Sequence, residues 1–487
     1  MPKIVLLWTD IVIWLMVAGA IWYTFHVRRS PNLRASWRKV AQDAPAMCAS
    51  VVLAVFVVIA LLDSIHFRPL LPPAPGAPAN AAVAYAAKTE SLLDVLLARQ
   101  IAMRERSYSL PLAIYGFQKE SEDVGGKVER TFPRLAHGGA HLKNPQQEWG
   151  RDIASRTTAG LVGGALAAML LAAFVASALA RKSGVSLPHA WRLISSNHTD
   201  LPLRAMLITA TILLLLAGPV IALGAHYHVL GTDRTGNNIL YQALKSIRTA
   251  FVIGSITTVA TLPFAVVLGV MAGYFRGWVD DVIQYIYTTL SSVPNVLLIA
   301  ACVLMVQVWI DKNPEFFQTS LERADAKLFL LCIVLGLTSW ALLCRLVRGE
   351  VMKLRELDYV QAAAAFGVSH WRIMARHIFP NVAHLVLIST VLAFSDLVLY
   401  EAVLSYIGVG VDPSMNSFGG MINLARSEMS RDPVVWWSFL AAFFFMVTLV
   451  LAANLVADAV QQAFDPRVRK FRVRRKPLAA AAGARSV

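Results

Sequence analysis

Nine apolar runs of about 20 residues constrain this chain more than any other feature. They cover about residues 4–25, 46–66, 157–180, 204–224, 250–275, 283–308, 328–347, 382–404 and 434–458. Each matches the length a helix needs to cross a bilayer core of roughly 30 Å. Inside lipid, backbone polar groups must be paired within the segment, so runs of this kind become helices. The expected fold class is therefore an all-α polytopic membrane protein with about nine transmembrane helices. A chain that is 57% hydrophobic and 15% charged would be an unusual soluble domain. The first run is too long for a signal-peptide core, has only Lys3 ahead of it, and lacks a small-residue cleavage site, so it reads as a retained span.

The net charge of +15 raises the question of nucleic acid, and placement answers it. The basic residues cluster at membrane edges. With nine alternating spans, the short loops on one side hold 24 Lys and Arg, counting those at span ends, against 9 on the other. Positive charge marks the cytosolic side. That puts the C-terminus and the 348–381 loop in the cytosol and the N-terminus outside; the family resemblance given below implies that the membrane is a bacterial inner membrane. The basic tail 470–487 suits contact with anionic membrane lipid, and no nucleic-acid partner is expected. Cys48, Cys302, Cys332 and Cys344 all fall in spans and read as packing residues.

The chain divides near residue 200. The expected units are two N-terminal spans (1–66), a periplasmic insert (67–156), a third span with a cytosolic linker (157–203), a six-span unit (204–469) and the tail (470–487). The insert opens with a Pro/Ala-rich stretch, 71–80, that reads as a semi-rigid linker. SLLDVLLARQIAMRER (91–106) has apolar residues at helical spacing.

The segment between the seventh and eighth spans is the most distinctive. It reads YVQAAAAFGVSHWRIMARHIFPN over 359–381. Ala362 to Ala365 favour helix, Gly367 suits a left-handed stop, Ser369 suits an N-cap, and Pro380 suits the first turn of the next span. The product is a rigid bent handle joined to two membrane helices. The residues resemble the EAA loop of ABC importer permeases: Gln361, Ala362 and Ala363 stand at its Glu-Ala-Ala, Gly367 at its glycine, and Pro380 thirteen positions on. Gln361 replaces the usual Glu.

The six-span unit resembles the second permease of dipeptide, oligopeptide and nickel importers. HVLGTDRTGNNILYQALKSIRTAFVIG (228–254) carries Gly231, Thr232, Asp233, Gly236 and Arg248 of the family pattern, with Asn237 and Asn238 replacing an Arg-Asp. EAVLSYIGVGVDPSMNSFGGMI (401–422) carries Glu401, Gly408, Gly410, Pro413 and Gly419, with Phe418 at a usual Trp. NLVADAVQQAFDPRVR (454–469) resembles the family's ending. The long N-terminal extension lies outside this common core. The resemblance implies a homologous permease in a heterodimer, two ATPase subunits gripping the handles (Gln361, Ala362, Ala363, Gly367, His377, Pro380 and Asn381 here), and a periplasmic substrate-binding protein delivering to 225–249 and 405–433. It implies peptides as substrate, with nickel or another small solute as the alternative.

Further residues invite mechanism. Gly269, Gly273 and Gly277, four apart, allow close helix approach, either to a second permease or within the chain. Pro263 and Pro294 should kink their spans. Asp396 and Glu401 are charges at membrane depth, expected to face a wet path or form a satisfied pair; with Pro294 they are candidates for the translocation path. His137, His141, His226 and His228 lack a third ligand nearby in sequence, so no metal site is expected. No phosphate loop occurs: Val124-Gly125-Gly126-Lys127 has Ser121 and Val128 where Gly and Ser or Thr belong. The chain is thus expected to be no enzyme and to bind no cofactor, with ATP and Mg on the partner ATPases. A secondary transporter would need internal repeats and mid-membrane ion sites; a non-transport scaffold draws on the odd 1–200 region.

Overall fold

A computed structural model describes residues 3–71, 85–86, 88–124, 127–317 and 319–464, with side chains 122–129 excluded. The linker at 71–80 beyond Leu71, Gly125-Gly126, residues 465–469 of the family ending and the basic tail lie outside the described residues. Among those described, nine helices are long and apolar enough to cross a membrane. The all-α polytopic expectation holds.

The extension supplies α1 (Trp8–Arg29), α2 (Pro31–Gln42) and α3 (Ala44–Asp63). Strand β1 (Lys3–Val5) pairs with β2 (His66–Arg68), and β2 with β3 (Glu90–Ser91), so the two ends of the α1–α3 hairpin meet at one end of the bundle. The expected single helix over 91–106 is two short ones, α4 (Leu92–Leu96) and α5 (Ala98–Ala102). Ser91 and Asp94 form a capping box that starts α4. The hairpin β4 (Glu120–Val124) and β5 (Lys127–Thr131) pairs with itself alone. Helix α6 (Pro145–Ser183) begins twelve residues before the expected span, followed by α7 (Leu187–Ser195) and α8 (Leu203–Gly224). Gly160 lies against Gly218 and Pro219, and Gly164 against Leu214, so bare backbones let α6 and α8 close on each other. Helix α8 packs on α6 and α3; α3 packs in turn on α9 (Ile239–Phe275) and on α17 (Trp437–Phe464).

The sixth apolar run is broken. It forms α10 (Gly277–Ser292) and α11 (Asn295–Lys312), with Val293 extended and Pro294 capping α11. Pro263, by contrast, sits inside an uninterrupted α9. Helix α12 (Ser320–Arg355) is followed by α13 (Asp358–Ala365), α14 (His370–Ile373), a π turn (Met374–Ile378), α15 (Phe379–Tyr406) and α16 (Phe418–Glu428). The core centres on α9 and α12. Gly269 lies 2.8 Å from the Cys344 carbonyl and Gly273 2.7 Å from that of Arg348, as measured to an added Cβ. These two glycines seat α9 on α12 of the same chain. Gly277 plays no such part: it starts α10 at positive φ, and an added Cβ there would meet nothing within 4 Å.

Alternation gives the bundle two distinct ends. One carries residues 3–7, the described residues of the 64–144 insert, 225–238, 313–317, 319–320 and 407–436. The other carries α2, the α9–α10 turn, the 355–381 handle and Phe464, which packs on Trp37 of α2. The four cysteines are free and lie within α3, α11 and α12.

Candidate functional sites at the two ends of the bundle

The handle is a short helix, a left-handed stop and a long helix. Val360 is buried on its inner side, while Phe366 is 88% and Trp371 65% exposed. Gly367 has φ +74 and closes α13: its amide donates to the Ala364 carbonyl and that of Val368 to Ala363. Ser369 holds the N-cap position, but its hydroxyl makes no cap bond, and only its carbonyl takes the first helical amides. The following helix runs without a gap from His370 to Tyr406. The π turn directly precedes Pro380, where the missing amide and ring would strain a regular α-turn.

Polar ties fix the handle to α9 and α12. The Tyr274 hydroxyl meets His370 Nδ1 at 2.8 Å, and Arg355 donates to the Tyr274 carbonyl. Arg276 pairs with Glu356 at 2.6 Å, and Gln361 donates its amide to the same carboxylate. Gln361 is exposed, neutral, and bonded to Glu356 within the handle. Asn381 donates to the His377 carbonyl and to Tyr359, which binds the two arms together. Ala362 and Pro380 are exposed and Ala363 is half-buried against the core.

A cavity of about 690 Å³ lies between α9, the α10–α11 break, α12 and α15. Thr258, Thr261, Thr338, Ser339, Thr390 and Asp396 give it polar walls near mid-helix, and Pro294 lines it too. Non-helical backbone at this depth is tolerable because it borders a cavity. Asp396 is exposed and makes no hydrogen bond or ion pair with any described residue. Glu401 points elsewhere. It is 2% exposed, accepts from the Ser405 hydroxyl at 2.6 Å and abuts Gly419. Five residues of helix turn the two carboxylates apart, so they do not pair with each other, and Glu401 is held by Ser405.

The insert end is a different construction. Arg248, expected just ahead of a span, lies well inside α9 and is 3% exposed. Its guanidinium donates to Asp10 at 2.6 Å and to the Thr9 hydroxyl at 2.7 Å, with Asp325 at 3.5 Å. Thr9 donates backbone and hydroxyl protons to Asp325. His66 Nδ1 lies 2.7 Å from the second Asp10 oxygen. One turn away, Lys245 pairs with Asp63 at 2.6 Å and Asp94 at 3.0 Å. Two cations of the six-span unit are thus neutralised largely by acids of the extension. Sequence reasoning missed Asp10, Asp63, His66, Lys245 and Asp325. The available signal was the acids set within or beside apolar runs, costly unless paired.

The 228–238 loop is largely covered by the insert, with only its Arg234-Thr235 tip exposed. Gly231 and Gly236 take positive φ, and an added Cβ on them would meet the Ser109 and Glu105 carbonyls. The Thr232 hydroxyl donates to Ser107 and accepts from the Ser109 amide. Asp233 accepts from Thr235, Asn237 and Gln242, and Asn238 caps α9. Glu105 accepts the amides of Ala136, His137 and Gly138 and meets His228 at 3.2 Å. Burial pushes this carboxyl up, but the His228 and amide bonds outweigh it and hold it at about 2. On the next loop, Gly408 takes positive φ, Gly410 presses on Ser405, and Pro413 is exposed. His141 lies beside His226 and 2.9 Å from Asp152, which also accepts from Arg156 and Tyr227. Among the described residues no group of three meets the arrangement for a metal ion.

Residues 265–470 match the family described as binding-protein-dependent transport system inner membrane component. An oligopeptide transport system permease protein OppC of Mycobacterium tuberculosis is 31% identical over 245 residues, half of this chain and 78% of that protein. This chain belongs to the permease family of ABC importers. Glutathione permease GsiD of Pectobacterium atrosepticum is 29% identical, covering 50% of this chain and 73% of the relative. YejE of Agrobacterium fabrum, a peptidoglycan transport permease, is 33% identical across 49% and 57%. The resemblance drawn from the 361–381 and flanking motifs is borne out. The extension lies outside residues 265–470, and its acids pair with Arg248 and Lys245 of the permease helices.

Proposed function

We propose that this permease carries peptides, pairs with a homologous permease, and is driven by two ATPase subunits that grip the 355–381 handles. The observation that carries this reading is the handle itself. It exposes Phe366 and Trp371 around a left-handed stop, yet is tied to the ends of α9 and α12 and continuous with α15. Those three helices wall the mid-depth cavity that holds Asp396. A push on the handle reaches the cavity through helices alone. ATP and Mg bind the partner subunits, and energy enters because the ATPases favour one permease state over the other.

In this reading the handle end faces the cytosol, the N-terminus and insert face the periplasm, and a binding protein delivers substrate to the insert end. Basic loops at the handle end support that orientation. Peptide cargo is supported by the relatives named for oligopeptides and glutathione, and by Asp396, a carboxylate unpaired among the described residues and able to attract a passing ammonium group.

Vesicles reconstituted with the assembled transporter test the proposal. Peptide uptake requiring both ATP and binding protein is expected. Uptake driven by a proton gradient without ATP would support a secondary transporter instead. Nickel uptake with no peptide uptake would reassign the cargo.

A further inference from the structure

Where α3 of the extension packs against α8 and α17, a groove of about 490 Å³ runs along the outside of the bundle at the depth of the spans. Its floor is the first half of α3, with the small side chains of Cys48, Ala49 and Val52. Its long wall is one face of α17, from Leu440 to Leu455, which covers about 22 Å at 1.5 Å per residue. Drawn out over that length, the volume is roughly 20 Å² in section. That section takes one extended hydrocarbon chain. A helix is about 10 Å across, so a span of a second permease is too wide to enter.

The chemistry is as restrictive as the shape. Two hydroxyls reach the groove, and the helices claim both protons. Thr209 donates to the Ala205 carbonyl at 3.1 Å, and Thr448 to that of Phe444 at 2.7 Å. No carboxylate, amine, guanidinium or imidazole lines it. Water needs two to four polar partners in such a site and finds too few here. An extended peptide would leave its amides and carbonyls unpaired. Left empty, the walls forfeit their dispersion contacts on the open side. An apolar chain without a polar backbone meets all of these conditions, and the bilayer supplies it.

We infer that the groove holds one acyl chain of a membrane phospholipid, entering from the leaflet at the handle end, where α3 begins. The chain lies across the joint between α3, which belongs to the extension, and α17, which belongs to the permease unit. It thus joins extension to core by apolar contact near the handle, as the Arg248 and Lys245 ion pairs do at the insert end. Neither the orientation nor the cargo proposed above enters into this assignment.

The full transporter, purified with its partner subunits in a mild detergent, tests it by native mass spectrometry and by identification of the extracted lipid. Wild type is expected to keep one phospholipid per copy of this chain through washes that strip exposed faces. Cys48→Phe with Thr448→Phe, both at half-buried positions, fills the groove with apolar volume. It should lower phospholipid retention about tenfold or more, since each methylene displaced forfeits its burial. Leu170→Phe, on an exposed face of α6, should leave retention unchanged. Site-resolved alkylation of wild type keeps the test independent of how the double variant folds. Cys48 should react faster with N-ethylmaleimide after delipidation than before, while the buried Cys332 and Cys344 stay unreactive in both. Equal retention in wild type and the double variant, a wild type that washes free of phospholipid, or Cys48 labelling unchanged by delipidation would each overturn the inference. So would an isoprenoid or detergent recovered in place of phospholipid, or a cross-link from Cys48 to a partner subunit, which would make the groove a protein contact.

Discussion

At the insert end the ion pairs that join the extension to the core are buried; at the handle end Asp280 is buried against Arg348, but the tie that holds the handle itself, Arg276 to Glu356, is exposed. Arg248, Asp10 and Asp325 are all at most 3% exposed. The corresponding tie at the handle, Arg276 to Glu356, has side chains 40% and 55% exposed. An exposed pair contributes little and yields readily. A buried pair gives little net stability over an apolar core, but removing one partner leaves an uncompensated charge. One end is therefore locked against separation of extension and core. The other presents a firm, greasy surface that a partner can grip.

Breaking the lock should give the largest effect. Arg248→Ala leaves Asp10 and Asp325 buried without a cation and is expected to cost about 3–5 kcal/mol, read as a lowered thermal unfolding midpoint in detergent. A midpoint near wild type would show that the extension is not held by this network. Gly236→Ala comes next. The site combines positive φ with the Glu105 backbone in the way of a Cβ, so the insert should lift and the 228–238 segment should become accessible to protease.

Acid probes the insert end, where Glu105 holds the insert down. Its carboxyl is depressed from 4.5 to about 2. Its stabilisation is therefore complete above about pH 4.5 and drains away as pH falls toward 2. Amide exchange at residues 136–138 should rise through that window and before the rest of the bundle. Protection that persists to the lower limit would remove Glu105 from the account. The smallest effect belongs to Glu356→Ala, expected to change stability by no more than about 1 kcal/mol; a larger drop would mean that the handle too is locked.

How much was legible in the sequence follows from range. The spans were readable because 20 apolar residues answer to the bilayer alone. The turn at Gly367 was readable because a left-handed residue after an Ala-rich helix is a local matter. The sixth run was harder: Pro294 announced a kink, but only packing around the cavity decided that the helix would break. Ser369 had the right type for a cap, and its carbonyl proved sufficient. Arg248 was named for a loop, since helix α9 gains its first turns from burial under the insert. The network itself joins residues 10, 66, 248 and 325, and nothing in one sequence pairs positions so far apart. The path candidates split for a similar reason. Asp396 and Glu401 look alike in sequence, while Ser405 and the close approach of Gly419 claim one of them.

The central claim is that the handle's outer face is built to be gripped and is not needed to hold the fold, whose core takes Val360, Ile373 and Ile378 from the inner face. The most direct measurement is subunit composition by mass spectrometry after purification of the Phe366→Glu and Gly367→Asp variants, beside their unfolding midpoints. The account predicts a second permease retained and both variants depleted of ATPase. It also predicts that Phe366→Glu, at a site 88% exposed, unfolds within about 0.5 kcal/mol of wild type. Full recovery of two ATPases with both variants would contradict it.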